Sequence, residues 1–337
     1  MSLRIGWPRW RGVEGCHFVA VMVVCITFGA AWGVVYASGA VAVSLPEVAE
    51  SDFVPLGVLV LYRFACAAVA LYTLVCIYSD PMDQEFRYLD ATVRLYRHRR
   101  WTTFTVWCFT LLCGYFMLAA YCSVAVLVGH GTAVPSAMVL ATLILFEVSY
   151  PMSLLVTAVV TFVLIPMAQR NDYPMERMFR WRPLMMHNGN VLMMQLAMQL
   201  APPPVVLAHL SYPVLFGCGY VLFAWGWFLR TRVYYYYFLD YHRPAAVLAY
   251  LGLFATLVMC YGLGWGMALV ARQAGSRWWT YPCILLVTLG MTRFRKPAMR
   301  RRTRRGTATP PPVCELEGAT GEAPGSGAGG HRHKNGL

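Results

Sequence analysis

The sequence predicts an all-α protein, a polytopic transmembrane helix bundle of seven long spans plus a short eighth membrane segment. Three observations predict it. Apolar runs recur along the whole chain, and 58% of residues are hydrophobic while only 13% are charged, where soluble domains carry about a quarter charged. The mean hydropathy is +0.52. The formal net charge is nevertheless +13, from 28 Lys+Arg against 15 Asp+Glu, and the arginines gather in alternate connections. An ordinary soluble enzyme is excluded. So is a nucleic-acid binder, because long uncharged stretches interrupt the basic residues.

A span needs about 20 mostly apolar residues to cross ~30 Å of hydrocarbon. The runs 17–45, 54–78, 101–128, 135–168, 184–207, 212–229 and 244–270 satisfy this. The run 278–291 is shorter, a length that suits a re-entrant segment or a short crossing. Arg4, Arg9 and Arg11 precede the first run. Arg87, Arg94, Arg97, Arg99 and Arg100 follow the second, Arg170, Arg177, Arg180 and Arg182 the fourth, and Arg230, Arg232 and Arg243 the sixth. The intervening loops hold no Lys or Arg, and the first of them carries Glu47, Glu50 and Asp52. The positive-inside rule therefore predicts a cytoplasmic N-terminus. The Lys/Arg run at 293–305 favours a cytoplasmic C-terminus as well, which requires 278–291 to cross or re-enter. The predicted division is a cytoplasmic N-terminus (1–16), a helix bundle (17–292) and a cytoplasmic tail (293–337), basic at first and then rich in Gly, Pro, Ala, Thr and Ser and disordered. The first run reads as an uncleaved signal anchor in an endomembrane or plasma-membrane protein.

The partners expected from this layout are membrane lipids, with anionic head groups at the basic tail, and no nucleic acid. Most of the 11 cysteines fall within spans and read as small packing residues. No cofactor and no metal site is expected. A retinal chromophore is excluded because both lysines, Lys296 and Lys334, lie outside the long spans. The tyrosines Tyr234–Tyr237, with Tyr241, suit an interfacial aromatic belt at the inner end of span six.

Polar groups inside spans are costly and mark sites of function or of helix association. Arg63 in span two and Glu147 in span four lie at comparable depth, which makes them candidates for a buried pair. Pro151 follows Glu147 by one turn and removes a helix hydrogen bond there. Tyr150, Ser153, Thr157 and Thr161 share one sector with Glu147 at roughly 100° per residue, so that sector faces other helices. Span five carries His187, Asn188, Asn190, Gln195 and Gln199, a polar sector that must line a bundle core or a cavity. Thr105, near the start of span three, lies roughly 6 Å in from Trp101, and His187 lies roughly 7.5 Å in from Arg182. A hydroxyl and an imidazole at matched depth suit a nucleophile and its general base.

These residues carry a family resemblance. Leu61-Tyr62-Arg63, the run Trp101–Trp107 with Thr105, Gly114-Tyr115-Phe116, Phe146–Tyr150, Leu155-Val156-Thr157, His187–Asn190, Tyr212-Pro213 and Gly219-Tyr220 together resemble the superfamily that joins the rolling stone proteins and the androgen-induced integral membrane hydrolases. The resemblance covers roughly residues 55–270 and looks closer to the rolling stone branch at Arg63 and Phe146–Tyr150. It implies a threonine hydrolase cleaving long-chain lipid esters, with Thr105 in the Trp-x-x-x-Thr pattern as nucleophile. The family's histidine pattern is Asn-His-x-x-His. Here His187 matches its first histidine, and Asn190 replaces the second, which the family uses in catalysis. An Asn cannot accept a proton near neutral pH, so hydrolysis here requires His187 as base, with Asn190 orienting the site or the oxyanion. The alternative is a non-catalytic rolling-stone-like protein of membrane organisation, in which Arg63, Glu147, Thr157, Asn188, Gln195 and Gln199 only join helices. A transporter is a third reading, without the paired half-helices of inverted repeats.

Overall fold

The computed structural model describes residues 14–38, 42–80, 84–88, 91–95, 97–170, 176–243, 245–273 and 277–294. Its helices are α1 (Glu14–Ser38), α2 (Leu45–Ala49), α3 (Leu56–Ser79), α4 (Phe104–Leu127), α5 (Ser136–Val159), α6 (Ile165–Arg170), α7 (Trp181–Leu184), α8 (Asn190–Leu200), α9 (Ser211–Thr231), α10 (Ala246–Arg272) and α11 (Thr280–Met291). A π-helical turn, Val160–Leu164, joins α5 to α6, and a second, Met185–Gly189, joins α7 to α8.

Six helices among the described residues are long and apolar enough to cross a membrane: Val19–Ala37, Leu56–Ser79, Phe104–Leu127, Ser136–Arg170, Leu207–Thr231 and Ala246–Arg272. The chain is therefore a multi-pass membrane protein of predominantly helical fold. This corrects the expected seven long spans. The segment expected at 184–207 ends as helix at Leu200, because Pro202, Pro203 and Pro204 cannot donate to a helix ladder. Its amides and imidazole also lower its apolarity. The eighth segment forms α11, 12 residues long, or about 18 Å.

The helix α5 is the hub. Almost three quarters of its most apolar window is buried, and it touches α4, α8, α9 and α10. The main apolar core joins α3, α4, α5, α8 and α10 through Phe109, Phe116, Phe146, Tyr150, Met194 and Met198. Outward-facing residues such as Leu61 and Leu248 remain exposed, as suits lipid contact. Backbones approach closely where α5 crosses α10: a Cβ on Gly264 would lie 2.8 Å from the Tyr150 ring.

The two ends of the bundle differ. One end carries the arginine-rich connections. There, Gln84–Tyr88 (β1) pairs antiparallel with Ala91–Leu95 (β2), with Phe86 opposite Val93. This hairpin was not expected. Its period-2 pattern turns Val93 and Leu95 into an apolar cluster with Ala20, Tyr220, Tyr234 and Tyr250. The expected aromatic belt instead folds back as an arm. Tyr234 stacks on Phe228 at 4.3 Å, and the Thr102 hydroxyl donates to the Tyr235 hydroxyl at 2.8 Å. Asp80, at the end of α3, pairs with Arg182 at 2.5 Å and Arg100 at 3.3 Å.

The opposite end carries α2, the 128–135 turn and the 201–210 segment. α4 closes there in a Schellman motif, in which His130 N–H donates to the Ala125 carbonyl and Gly129 N–H to Val126. Gly129 takes the left-handed φ of 77° that this motif requires. The tail at 295–337 and the residues before 14 lie outside the described residues, so the basic-tail and disorder expectations fall there.

Candidate functional site

Three polar sites lie within the bundle, and they separate residues that the sequence placed together. The first contains Thr105, in the first turn of α4. It lines a partly open apolar cavity of about 210 Å³ between α1, α4, α5, α9, α10 and the 232–243 arm. Along α5 and the π-turn after it the lining runs from Met152 to Leu164, a rise of about 18 Å. The phenols of Tyr220 and Tyr250 border the cavity but donate elsewhere, to the Thr102 carbonyl at 3.0 Å and the Leu239 carbonyl at 2.7 Å. The Thr105 and Tyr236 hydroxyls face each other at 3.5 Å. That is long for an O–H···O bond, and the backbone of Phe104 and Thr105 also faces the Tyr236 hydroxyl. Burial raises the Tyr236 phenol above its ordinary range, so it stays a neutral donor near pH 7.

The second site joins α5 to the α7–α8 helix. The Thr157 hydroxyl donates to the Ser153 carbonyl at 2.8 Å and also reaches the His187 carbonyl. Asn190 spans the same gap, at 3.4 Å from both Thr157 Oγ1 and the Ser153 carbonyl. Tyr150 donates to Gln195 Oε1 at 3.0 Å. Gln199 exchanges hydrogen bonds with Thr280 at 2.8 and 2.9 Å, and Asn188 Nδ2 donates to the Arg293 carbonyl at 2.7 Å. The polar sector of span five thus binds α5 and α11. It does not line the apolar cavity. The His187 imidazole makes no hydrogen bond to a described residue. It is not among the cavity-lining groups, so matched depth does not bring it to the Thr105 hydroxyl.

The third site centres on Glu147, which is 1% exposed. Its Oε2 meets His209 Nδ1 at 2.5 Å, and its Oε1 accepts from Val206 N–H at 2.7 Å. The Tyr261 hydroxyl donates to the Val206 carbonyl at 2.6 Å and stands 3.4 Å from Oε1. The expected Arg63–Glu147 pair is therefore overturned. Arg63 points instead at α2 and α4, where Nη1 donates to the carbonyls of Ala49 at 3.1 Å and Ala119 at 3.2 Å and touches Ser123 Oγ. Depth fixes height along a helix but not direction around it, and Arg63 faces α4 while Glu147 faces the 201–210 segment.

The chain matches no protein-family model, no curated protein and no solved structure. Three residues central to these sites were not singled out from the sequence. His209 sits in a short loop between spans. Tyr236 was absorbed into an aromatic run, and Tyr261 into an apolar span. The triple proline before His209 was the available signal, because it forces extended backbone whose polar groups need side-chain partners.

Proposed function

We propose that this multi-pass membrane protein holds a lipid acyl chain in its interior and does not hydrolyse it. The carrying observation is the apolar cavity with the Thr105 and Tyr236 hydroxyls at its wall. A cavity of about 150 Å³ holds benzene, while pockets for drug-sized ligands begin near 300 Å³. At about 210 Å³ the volume suits part of one chain. The two hydroxyls suit a carbonyl or carboxyl oxygen at its head. Hydrolysis at Thr105 needs a base, and its nearest polar neighbour is a neutral phenol. This supports the rolling-stone-like, non-catalytic reading over the threonine hydrolase. The arginine-bearing end is read as cytoplasmic on charge bias, in an endomembrane or plasma membrane, with membrane lipids as the partners and anionic head groups attracted to the tail.

A diazirine-bearing palmitate is the probe. Cross-links are expected on α5 and α9 peptides of the protein in nanodiscs. Filling the cavity by Gly217→Phe is expected to abolish them. Removing both hydroxyls, with Thr105→Val and Tyr236→Phe, is expected to weaken binding about thirtyfold, since two hydrogen bonds contribute about 1 kcal/mol each. Labelling confined to lipid-facing residues and unchanged by Gly217→Phe refutes the cavity. Thr105-dependent labelling by a fluorophosphonate restores the hydrolase reading.

A further inference from the structure

The Glu147 site lies apart from that cavity and has a different chemistry. It is a carboxylate and an imidazole, each about 1% exposed, at 2.5 Å. The chain they hold is irregular. After Ala201, three prolines leave the 202–206 segment without helix hydrogen bonds, and Val206 N–H has the Glu147 carboxylate as its partner. Three elements converge on this one side chain: the segment itself, the turn at Leu207–Leu210, and α10 through Tyr261.

We propose that Glu147 and His209 form a proton-operated latch on the 201–210 segment. The geometry suits an ionised Glu147, because both carboxylate oxygens act as acceptors. Oε1 receives Val206 N–H and Oε2 receives His209 Nδ1–H. The Nδ1–H serves whether or not Nε2 also carries a proton, so the latch holds with a neutral or a charged imidazole. A proton added to the carboxylate removes its charge, and both bonds fall to roughly half their charge-assisted strength. The segment is then released, so the latch opens on the acid side only.

The surroundings leave this pair to set its own charge. Tyr212 of α9 packs edge-on to His209 at 5.1 Å, and Tyr261 of α10 is neutral near pH 7. α1 also packs against the 207–210 turn and has no Asp, Glu, Lys, Arg or His between 19 and 38. α5 has no other charged residue, and α10 has only Arg272, which pairs with Glu47 at 3.5 Å. Arg230 of α9 stands at the other end of that helix. No Lys or Arg among the described residues pairs with Glu147 or His209. The segment joins α8 to α9, and Val214 of α9 lines the apolar cavity. Release therefore loosens one wall of that cavity.

Hydrogen exchange of the full chain in nanodiscs tests the latch. Corrected for intrinsic pH dependence, exchange at the 205–210 amides is expected to rise at least tenfold between pH 7 and about pH 4.5, as the carboxylate takes up its proton. Glu147→Gln keeps an acceptor for Val206 but takes up no proton, and it is expected to abolish the rise while preserving the pH 7 pattern. His209→Gln keeps a donor to Oε2 and is expected to move the midpoint. A rise below twofold in the native protein overturns the proposal. So does an undiminished rise in Glu147→Gln or, should that variant not fold, an unmoved midpoint in His209→Gln.

Discussion

Replacing Glu147 with Leu is expected to lower stability by about 3–5 kcal/mol, the range for removing one member of a buried charged pair. The loss has two parts. His209 is left buried with its Nδ1–H unpaired, and Val206 N–H loses its carboxylate partner, each an unsatisfied group costing about 1–3 kcal/mol. Thermal unfolding in detergent measures the total. A double-mutant cycle then assigns it. Glu147 and His209 are expected to couple by about 0.5–3 kcal/mol, whereas Glu147 and Arg63 are expected to add within about 0.5 kcal/mol, as groups without shared partners do. Strong Arg63–Glu147 coupling would contradict the partners described above.

The second large effect is expected at the α5–α10 crossing. Gly264→Ala places its methyl group 2.8 Å from the Tyr150 ring. That ring is 2% exposed and held by hydrogen bonds to Gln195 and the Met267 sulfur. It is a rigid plate with no free end to swing aside. Overpacking of this kind costs about 1–3 kcal/mol. Tyr150→Leu removes the ring edge, so the double substitution is expected to cost less than the sum of the single ones. Simple additivity in unfolding midpoints would show that the helices separate instead of straining.

Much of this was readable from the residues, for an identifiable reason. Hydrophobic runs report burial in lipid or protein directly, so six of the seven expected long spans recur among the described residues as helices long and apolar enough to cross a membrane. The sector of α5 that holds Glu147, Tyr150, Ser153, Thr157 and Thr161 is buried as its helical spacing required. What spacing cannot report is azimuth between helices. Arg63 with Glu147, and Thr105 with His187, were matched by depth alone; Arg63 and Glu147 turn to different neighbours, and among the described residues no hydrogen bond joins His187 to Thr105. The polar sector of the α7–α8 helix faces α5 and α11, one of the two settings that its residues allowed. Its π-turn shifts the angular register in mid-helix, so a constant 100° per residue does not carry across Met185–Gly189. The Glu147–His209 contact was hidden because one partner lay in a loop that hydropathy treats as empty.

The docking of α11 has a consequence for how the protein can be handled. Thr280, at its start, meets Gln199 at one end of α8, and Arg293, just past its end, meets Asn188 at the other. α11 thus returns along α8 to the level of Arg182 and Asp80, at the end of the bundle where β2 packs near the beginning of α1. The first and last described residues leave the bundle on the same side. Reporters fused to the two termini are therefore expected to sample a single compartment, whichever way the bundle is inserted, and opposite readouts from the two would mean that α11 is not docked against α8.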